Sequence, residues 1–134
     1  MQRSRAICID ASVLAEFLLD RPRGKAVAEV LAGVDSMIAP DLVNAEALAV
    51  IRRLERAGEV SAGRAARAVA DLEDAPLHRL PTTGMLEAVW GLRHNVTPGD
   101  ACYVVAARAL DVPLLTADLR LARAPDLGIP VITV

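Results

Sequence analysis

Four acids in this 134-residue chain stand where a carboxylate is either useful or awkward: Asp10, Glu46, Asp100 and Asp118. Asp10 closes the short apolar run Ala6-Ile7-Cys8-Ile9, and Asp118 follows Leu114-Leu115-Thr116-Ala117. Asp100 falls third in a helix that Thr97-Pro98 marks as starting. Glu46 shares one side of a helical wheel with Leu42, Val43, Ala49 and Val50, so it points from an apolar stripe. Burying an unpaired carboxylate is costly, and Glu46 therefore needs a cation, a hydrogen-bond network or a proton. Two carboxylates about 5 Å apart repel by roughly 3 kcal/mol at an effective dielectric of about 20. Four that converge call for a divalent cation, and an all-oxygen set suits Mg2+ or Mn2+. The chemistry natural to such a pocket is metal-assisted attack of water on a phosphodiester.

Each acid also has a plainer use. Asp10 can cap a helix beginning at Ser12, Asp118 can cap a turn from Leu119, and Asp100 favours the helix dipole from the first turn. Glu46 at the edge of its stripe can reach water, and Arg53, two turns along the same face, is a strained ion-pair partner.

The elements that would position these acids alternate. Apolar runs predict strands over 6–9, 36–39, 77–80, 114–116 and 131–134. Helical spacing predicts helices from Ser12 to a stop near Arg21-Pro22-Arg23-Gly24, then over 25–31, 42–57, 61–73, 84–93 and 97–110. A short helical turn over 119–123 completes the set. Strand and helix in alternation predict an α/β fold, a short-stranded parallel sheet flanked by helices in three layers. In such folds a ligand site lies beyond the carboxyl ends of the strands, near the switch in strand order. Asp10 and Asp118 fall there.

Composition narrows the rest. Residues 1–134 read as one domain, and 54% hydrophobic residues exclude a disordered tail. Phe, Trp and Tyr occur once each, so the core must be aliphatic and rows of stacking aromatics are excluded. The net charge of −2 carries no polycation signature, and fourteen Arg against the single Lys25 fit codon bias. Cys8 and Cys102 read as free, buried thiols in a reducing compartment. With His78 and His94 they show no zinc-ligand spacing. No run approaches the roughly 18 apolar residues that span a bilayer. The basic start, Arg3 and Arg5, meets Asp10 too early for a secretory signal. The expectation is a cytoplasmic protein without a membrane segment.

The sequences Asp10-Ala11-Ser12, Asn44-Ala45-Glu46, Thr97-Pro98-Gly99-Asp100-Ala101 and Leu115-Thr116-Ala117-Asp118 resemble the PIN-domain family. More narrowly, the chain is similar to VapC-type ribonuclease toxins of bacterial toxin–antitoxin pairs, nearly end to end and through Trp90-Gly91-Leu92-Arg93-His94-Asn95. That resemblance implies a PIN-like fold and Mg2+- or Mn2+-dependent endonucleolytic cleavage of RNA. It assigns Asp10, Glu46, Asp100 and Asp118 to the metal, and Ser12 and Thr116 as hydroxyls that orient them. It also implies a homodimer silenced by a cognate VapB-type antitoxin whose tail covers the groove. Two positions depart from the family pattern. Gly99 stands where relatives often carry an aromatic residue, and Arg120 where some carry a further acid.

Arg93 and His94, shortly before Asp100, are candidates for holding the RNA backbone. Arg52, Arg53, Arg56, Arg64 and Arg67 either grip phosphates or line a solvated surface. Met85, Val89 and Trp90 read as core or dimer interface. His78 and His94 lack a nucleophile motif, which argues against a Ser/His or Cys/His hydrolase. An aspartyl phosphatase wants a second Asp where Ser12 stands, and a receiver domain wants a lysine that Lys25 cannot supply. The standing alternative is a PIN-like module that binds a partner and turns over weakly.

Overall fold

Strand β1, Ala6–Ile9, lies at the centre of the sheet because its residues are apolar on both faces. The computed structural model describes residues 5–134, so Arg3 of the basic start lies outside the described residues. After β1 come α1 (Ala11–Leu18), α2 (Pro22–Leu31), β2 (Ser36–Pro40), α3 (Val43–Arg56), α4 (Ala62–Asp74) and β3 (Leu77–Leu80). A 3-10 turn at Thr83–Met85 leads into α5 (Leu86–Gly91) and α6 (Pro98–Leu110). The chain ends with β4 (Leu114–Thr116), α7 (Leu119–Arg123) and β5 (Val131–Thr133).

The five strands form one sheet in the order β3-β2-β1-β4-β5, every neighbouring pair parallel. Strand order reverses between β1 and β4, which is where such a sheet opens a crevice at its carboxyl edge. Cys8 pairs with Leu114 and Ile9 with Leu115, so Asp10 leaves the sheet beside Thr116. Helix α6 packs against β1, β2 and β4 with α5 alongside it, while α1 packs against α2, α3 and α4. A main core runs through the sheet. A satellite of Ala15, Leu19, Ile51, Leu54, Ala65 and Ala68 ties the α3–α4 hairpin to α1.

Helix starts follow their caps. Asp10, Ser61, Thr97 and Asp118 each accept a backbone N–H from the first turn they precede. Pro22, expected to mark the end of the first helix, instead opens α2, because proline is pre-set for the first helical position. The helix expected over 84–93 is shorter, with α5 beginning only at Leu86 after the 3-10 turn. Trp90 is not in the core. Val89 and the following Leu92 are buried, while Trp90 is 63% exposed and Met85 half-buried. Cys8 is buried as expected, but Cys102 is only half-buried; both are free thiols.

Candidate active site

A single buried hydroxyl joins two of the four acids. Thr116, 0% exposed at the end of β4, donates its Oγ1 hydrogen to Asp10 Oδ2. The same oxygen accepts the backbone N–H of Asp118 at 3.0 Å. Asp10 Oδ1 is occupied by the Val13 N–H at 3.1 Å, which caps α1. The helix-capping reading therefore holds for Asp10, and it leaves room for the second oxygen to act elsewhere. Asp118 caps α7 in the same manner, its Oδ1 accepting the N–H of Arg120 at 2.9 Å. Ser12 is the second residue of α1, exposed, with its backbone N–H also turned to Asp10.

Glu46 sits at the margin of the stripe that buries Val43, Ala47, Ile51 and Leu54, and is half-buried. The answer to its burial comes from α6: Tyr103 donates its phenolic O–H to Glu46 Oε1 at 2.7 Å. Tyr103 is 2% exposed, and burial, then the Glu46 hydrogen bond and nearby acid charges, push its pKa far above the ordinary phenol value. It remains a donor at any physiological pH. Arg53, by contrast, is exposed and makes no ion pair among the described residues. Arg79 fixes the start of α3 by donating Nε to Asn44 Oδ1 and Nη2 to Leu72 O, both at 2.6 Å. A Cβ at Gly99 would lie 3.4 Å from Glu46 Oε2, so the glycine in the first turn of α6 leaves the carboxylate room.

Asp10, Ser12, Glu46, Asp100 and Tyr103 line one cavity of about 200 Å³. Asp100 also lines a neighbouring cleft of about 490 Å³, with Asp118, Arg93, His94, Asn95 and Arg120. Two cavities thus share one acid as a wall. Burial raises the pKa of Asp10, assisted by the charge of Asp100 and opposed by its hydrogen bonds from Thr116 and Val13. Burial likewise raises Asp100, with the Asp118 charge adding to it. Asp10 thus feels the charge of Asp100, and Asp100 that of Asp118.

Among the described residues no three acids, cysteines or histidines are close enough as they stand to hold one metal ion. Each acid is turned partly toward a local donor, and carboxylates that repel do not close on one point unaided. The donors themselves fit a hard divalent cation, because they are carboxylate and hydroxyl oxygens. A softer metal is poorly served: burial, and secondarily Asp10, push the Cys8 thiol up to about 12. Cys102 is also raised, by burial and by Glu46 and Asp41.

Of the basic residues, Arg93 and His94 line the larger cleft, as does Arg120, whose Nε stands 3.9 Å from Asp118 Oδ1. His78, Arg52, Arg53, Arg56 and Arg67 are exposed and line neither cavity. Arg64 donates to Leu18 O at 3.2 Å, a structural tie to the end of α1.

The PIN domain family matches residues 7–127. Ribonuclease VapC1 of Mycobacterium tuberculosis is 39% identical over 120 residues, which cover 89% of this chain and 90% of that protein. This chain belongs to the VapC ribonucleases of the PIN-domain family. Its fold is also that of solved structures at low identity. A chain of FitAcB from Neisseria gonorrhoeae aligns with a TM-score of 0.70 at 16% identity, over 95% of this chain and 96% of that one. A chain of VapBC2 from Rickettsia felis, solved with a DNA fragment from its promoter, aligns at 0.65 and 13%, over 96% and 98%.

Within this VapC chain, Tyr103 is the residue that sequence reasoning missed. Its signal was present: the only tyrosine stands three residues after Asp100, on the same helix face. Tyr103→Phe keeps the ring that fills the core and removes only the hydrogen bond to Glu46. Loss of an orienting partner of this kind costs about 10- to 100-fold in metal affinity. Calorimetric titration with Mg2+ checks this, and an unchanged affinity would show that Glu46 does not depend on Tyr103.

Proposed function

We propose that this chain is an endoribonuclease toxin that hydrolyses RNA phosphodiester bonds and is neutralised by a VapB-type antitoxin. The observation that carries the reading is the shared wall: Asp10, Glu46 and Asp100 face one small cavity, and Asp100 with Asp118 opens into a cleft rimmed by Arg93, His94 and Arg120. In that cleft Asp100 and Asp118 are half-buried, while Arg93, His94 and Arg120 are exposed. That polarity suits a phosphodiester, whose charge is attracted at the rim and whose reacting phosphorus must meet an activated water. The relative named Ribonuclease VapC1 and the toxin–antitoxin assembly VapBC2 support the substrate and the partner.

Asp10, Glu46, Asp100 and Asp118 would hold a divalent cation, Mg2+ or Mn2+, which supplies charge neutralisation and a nucleophilic water at neutral pH. Thr116 orients Asp10 and fixes the backbone of Asp118 at the same time. Tyr103 orients Glu46, and Ser12 borders the cavity beside Asp10. Arg93 and His94 hold the RNA backbone in the cleft through charge-assisted hydrogen bonds. The protein works as a homodimer in the cytoplasm, where RNA and antitoxin are both present. Among the described residues no helix is long and apolar enough to cross a membrane.

The second reading, a partner-binding module with weak turnover, draws on one observation: the acids do not meet on one point as they stand. One assay separates the two. Purified protein freed of antitoxin is incubated with total RNA in Mg2+, in Mn2+ and in EDTA. Discrete cleavage products that appear with metal and vanish in EDTA are expected. Wild-type protein that cuts under no condition would favour the binding module, and cutting in EDTA would overturn the metal-dependent mechanism.

A further inference from the structure

Trp90 is the one tryptophan of the chain, and the fold leaves it 63% exposed on α5. Its neighbours Val89 and Leu92 take the core positions, so its exposure follows from which face of α5 packs. The indole is not idle. The guanidinium of Arg93 lies over the ring with its carbon 4.7 Å from the centroid. Arg93 also donates from Nη1 to Trp90 O at 3.0 Å. A cation–π contact and a hydrogen bond together hold a long side chain that would otherwise be mobile. Arg93 is at the same time a wall of the cleft that contains Asp100 and Asp118. An aromatic face, a preset cation and the candidate catalytic acids therefore follow one another along the surface.

We propose that Trp90 is the platform on which one unpaired nucleobase of the RNA stacks, with Arg93 bonding that nucleotide's phosphate. The inference rests on the ribonuclease reading above and deepens it by naming a residue that binds the substrate. Bases inside a duplex are already stacked on each other, whereas bases in loops, bulges and single strands can turn out onto an aromatic ring or a guanidinium. Tyr103 is buried and Phe17, 37% exposed, lies on α1. Among the Phe, Tyr and Trp rings, Trp90 is the one held against a wall of the cleft, Arg93, and it offers a face for one base. Arg93 keeps further N–H groups beyond the one given to Trp90 O, and these can bond phosphate oxygens. His94, Asn95 and Arg120 line the same cleft and suit the sugar–phosphate chain that continues toward Asp100 and Asp118.

The lone tryptophan supplies its own reporter. In EDTA, wild-type protein is titrated with a short oligoadenylate, with an abasic strand of equal phosphate count, and with a duplex of equal length. The oligoadenylate quenches Trp90 emission to saturation, and the abasic strand and the duplex do not. In Mg2+, Trp90→Ala raises KM for cleavage of an unpaired RNA by about 5- to 100-fold, the loss expected for one stacked base. Trp90→Phe restores most of that loss and kcat changes little. Cleavage by Trp90→Ala with unchanged KM overturns the platform and leaves the ribonuclease reading standing. A wild-type protein that neither binds nor cleaves RNA overturns both. Emission that shifts with protein concentration and not with RNA assigns Trp90 to a contact between copies of this chain, and the platform is then wrong. Where no strand binds in EDTA, the KM comparison decides alone.

Discussion

Asp10→Asn lowers the rate of RNA cleavage roughly 10²- to 10³-fold and leaves the fold intact. The substitution is close to isosteric, and asparagine caps a helix about as well as aspartate, so the bond to the Val13 N–H survives. What disappears is the anionic oxygen that Thr116 holds toward Glu46 and Asp100. A cation in this site loses a charged ligand, and the charge that develops on the phosphoryl oxygens loses its compensation. Removing one preorganised electrostatic partner from an active site costs on that order. Initial rates on a defined RNA, with a thermal melt as the folding control, measure the effect. Activity within about threefold of wild type would remove Asp10 from the reaction. Asp10→Ala is the poorer test, because it also deletes the α1 cap, at about 1 kcal/mol.

The positions of the acids along the chain were legible; their mutual geometry was not. Strands β1, β3 and β4 match the sequence expectation residue for residue, because each is a short run closed by a polar or turn residue. That was enough to put Asp10 and Asp118 at the same sheet edge. The capping and ligand readings of Asp10 looked like rivals in sequence. They are compatible, since one oxygen takes the Val13 N–H and the other takes Thr116. Glu46 shows the limit of a helical wheel, which reads only its own helix. The partner that answers its burial is Tyr103, 57 residues further on, and arrives through the packing of α6. Trp90 shows a second limit. The spacing of Leu86, Val89 and Trp90 is helical, but spacing fixes which residues neighbour each other and not which stripe faces inward. Here Leu86 and Trp90, four residues apart, share the exposed side and Val89 takes the core. Whether the acids close on one ion depends on the ion's own charge, which no sequence pattern contains.

Saturating Mg2+ raises the melting temperature of the wild-type protein by about 10 °C and that of Asp10→Asn by far less. Burial and the Asp100 charge lift the Asp10 pKa above its ordinary 3.8. As pH rises past 3.8, the unfolded chain gives up this proton before the folded one does. The folded state then holds more protons, so stability falls with rising pH through the interval up to the raised value and stays lowered above it. At neutral pH the metal-free protein carries that deficit, and Asp100, raised for the same reasons, adds to it. Asparagine at position 10 has no proton to lose, so without metal the variant melts above wild type at pH 7. Lowering the pH well below 3.8 closes the gap, because the wild-type carboxyl is then protonated in both states. A cation bound by the ionised acids reverses the order. At about 100 times its Kd it stabilises the folded state by about 2.7 kcal/mol, and each kcal/mol is worth roughly 4 °C in a domain of this length. Scanning calorimetry at pH 7, in EDTA and in Mg2+, reads the crossing directly: the variant is the more stable protein in EDTA and wild type is the more stable in Mg2+. Equal rises in both proteins would place the ion away from Asp10. A wild-type protein already more stable than the variant in EDTA would mean that the Asp10 charge is not buried at a cost. The substitution expected to damage the reaction is thus also expected to relieve the metal-free fold, because the ionised Asp10 carboxylate is buried and feels the charge of Asp100.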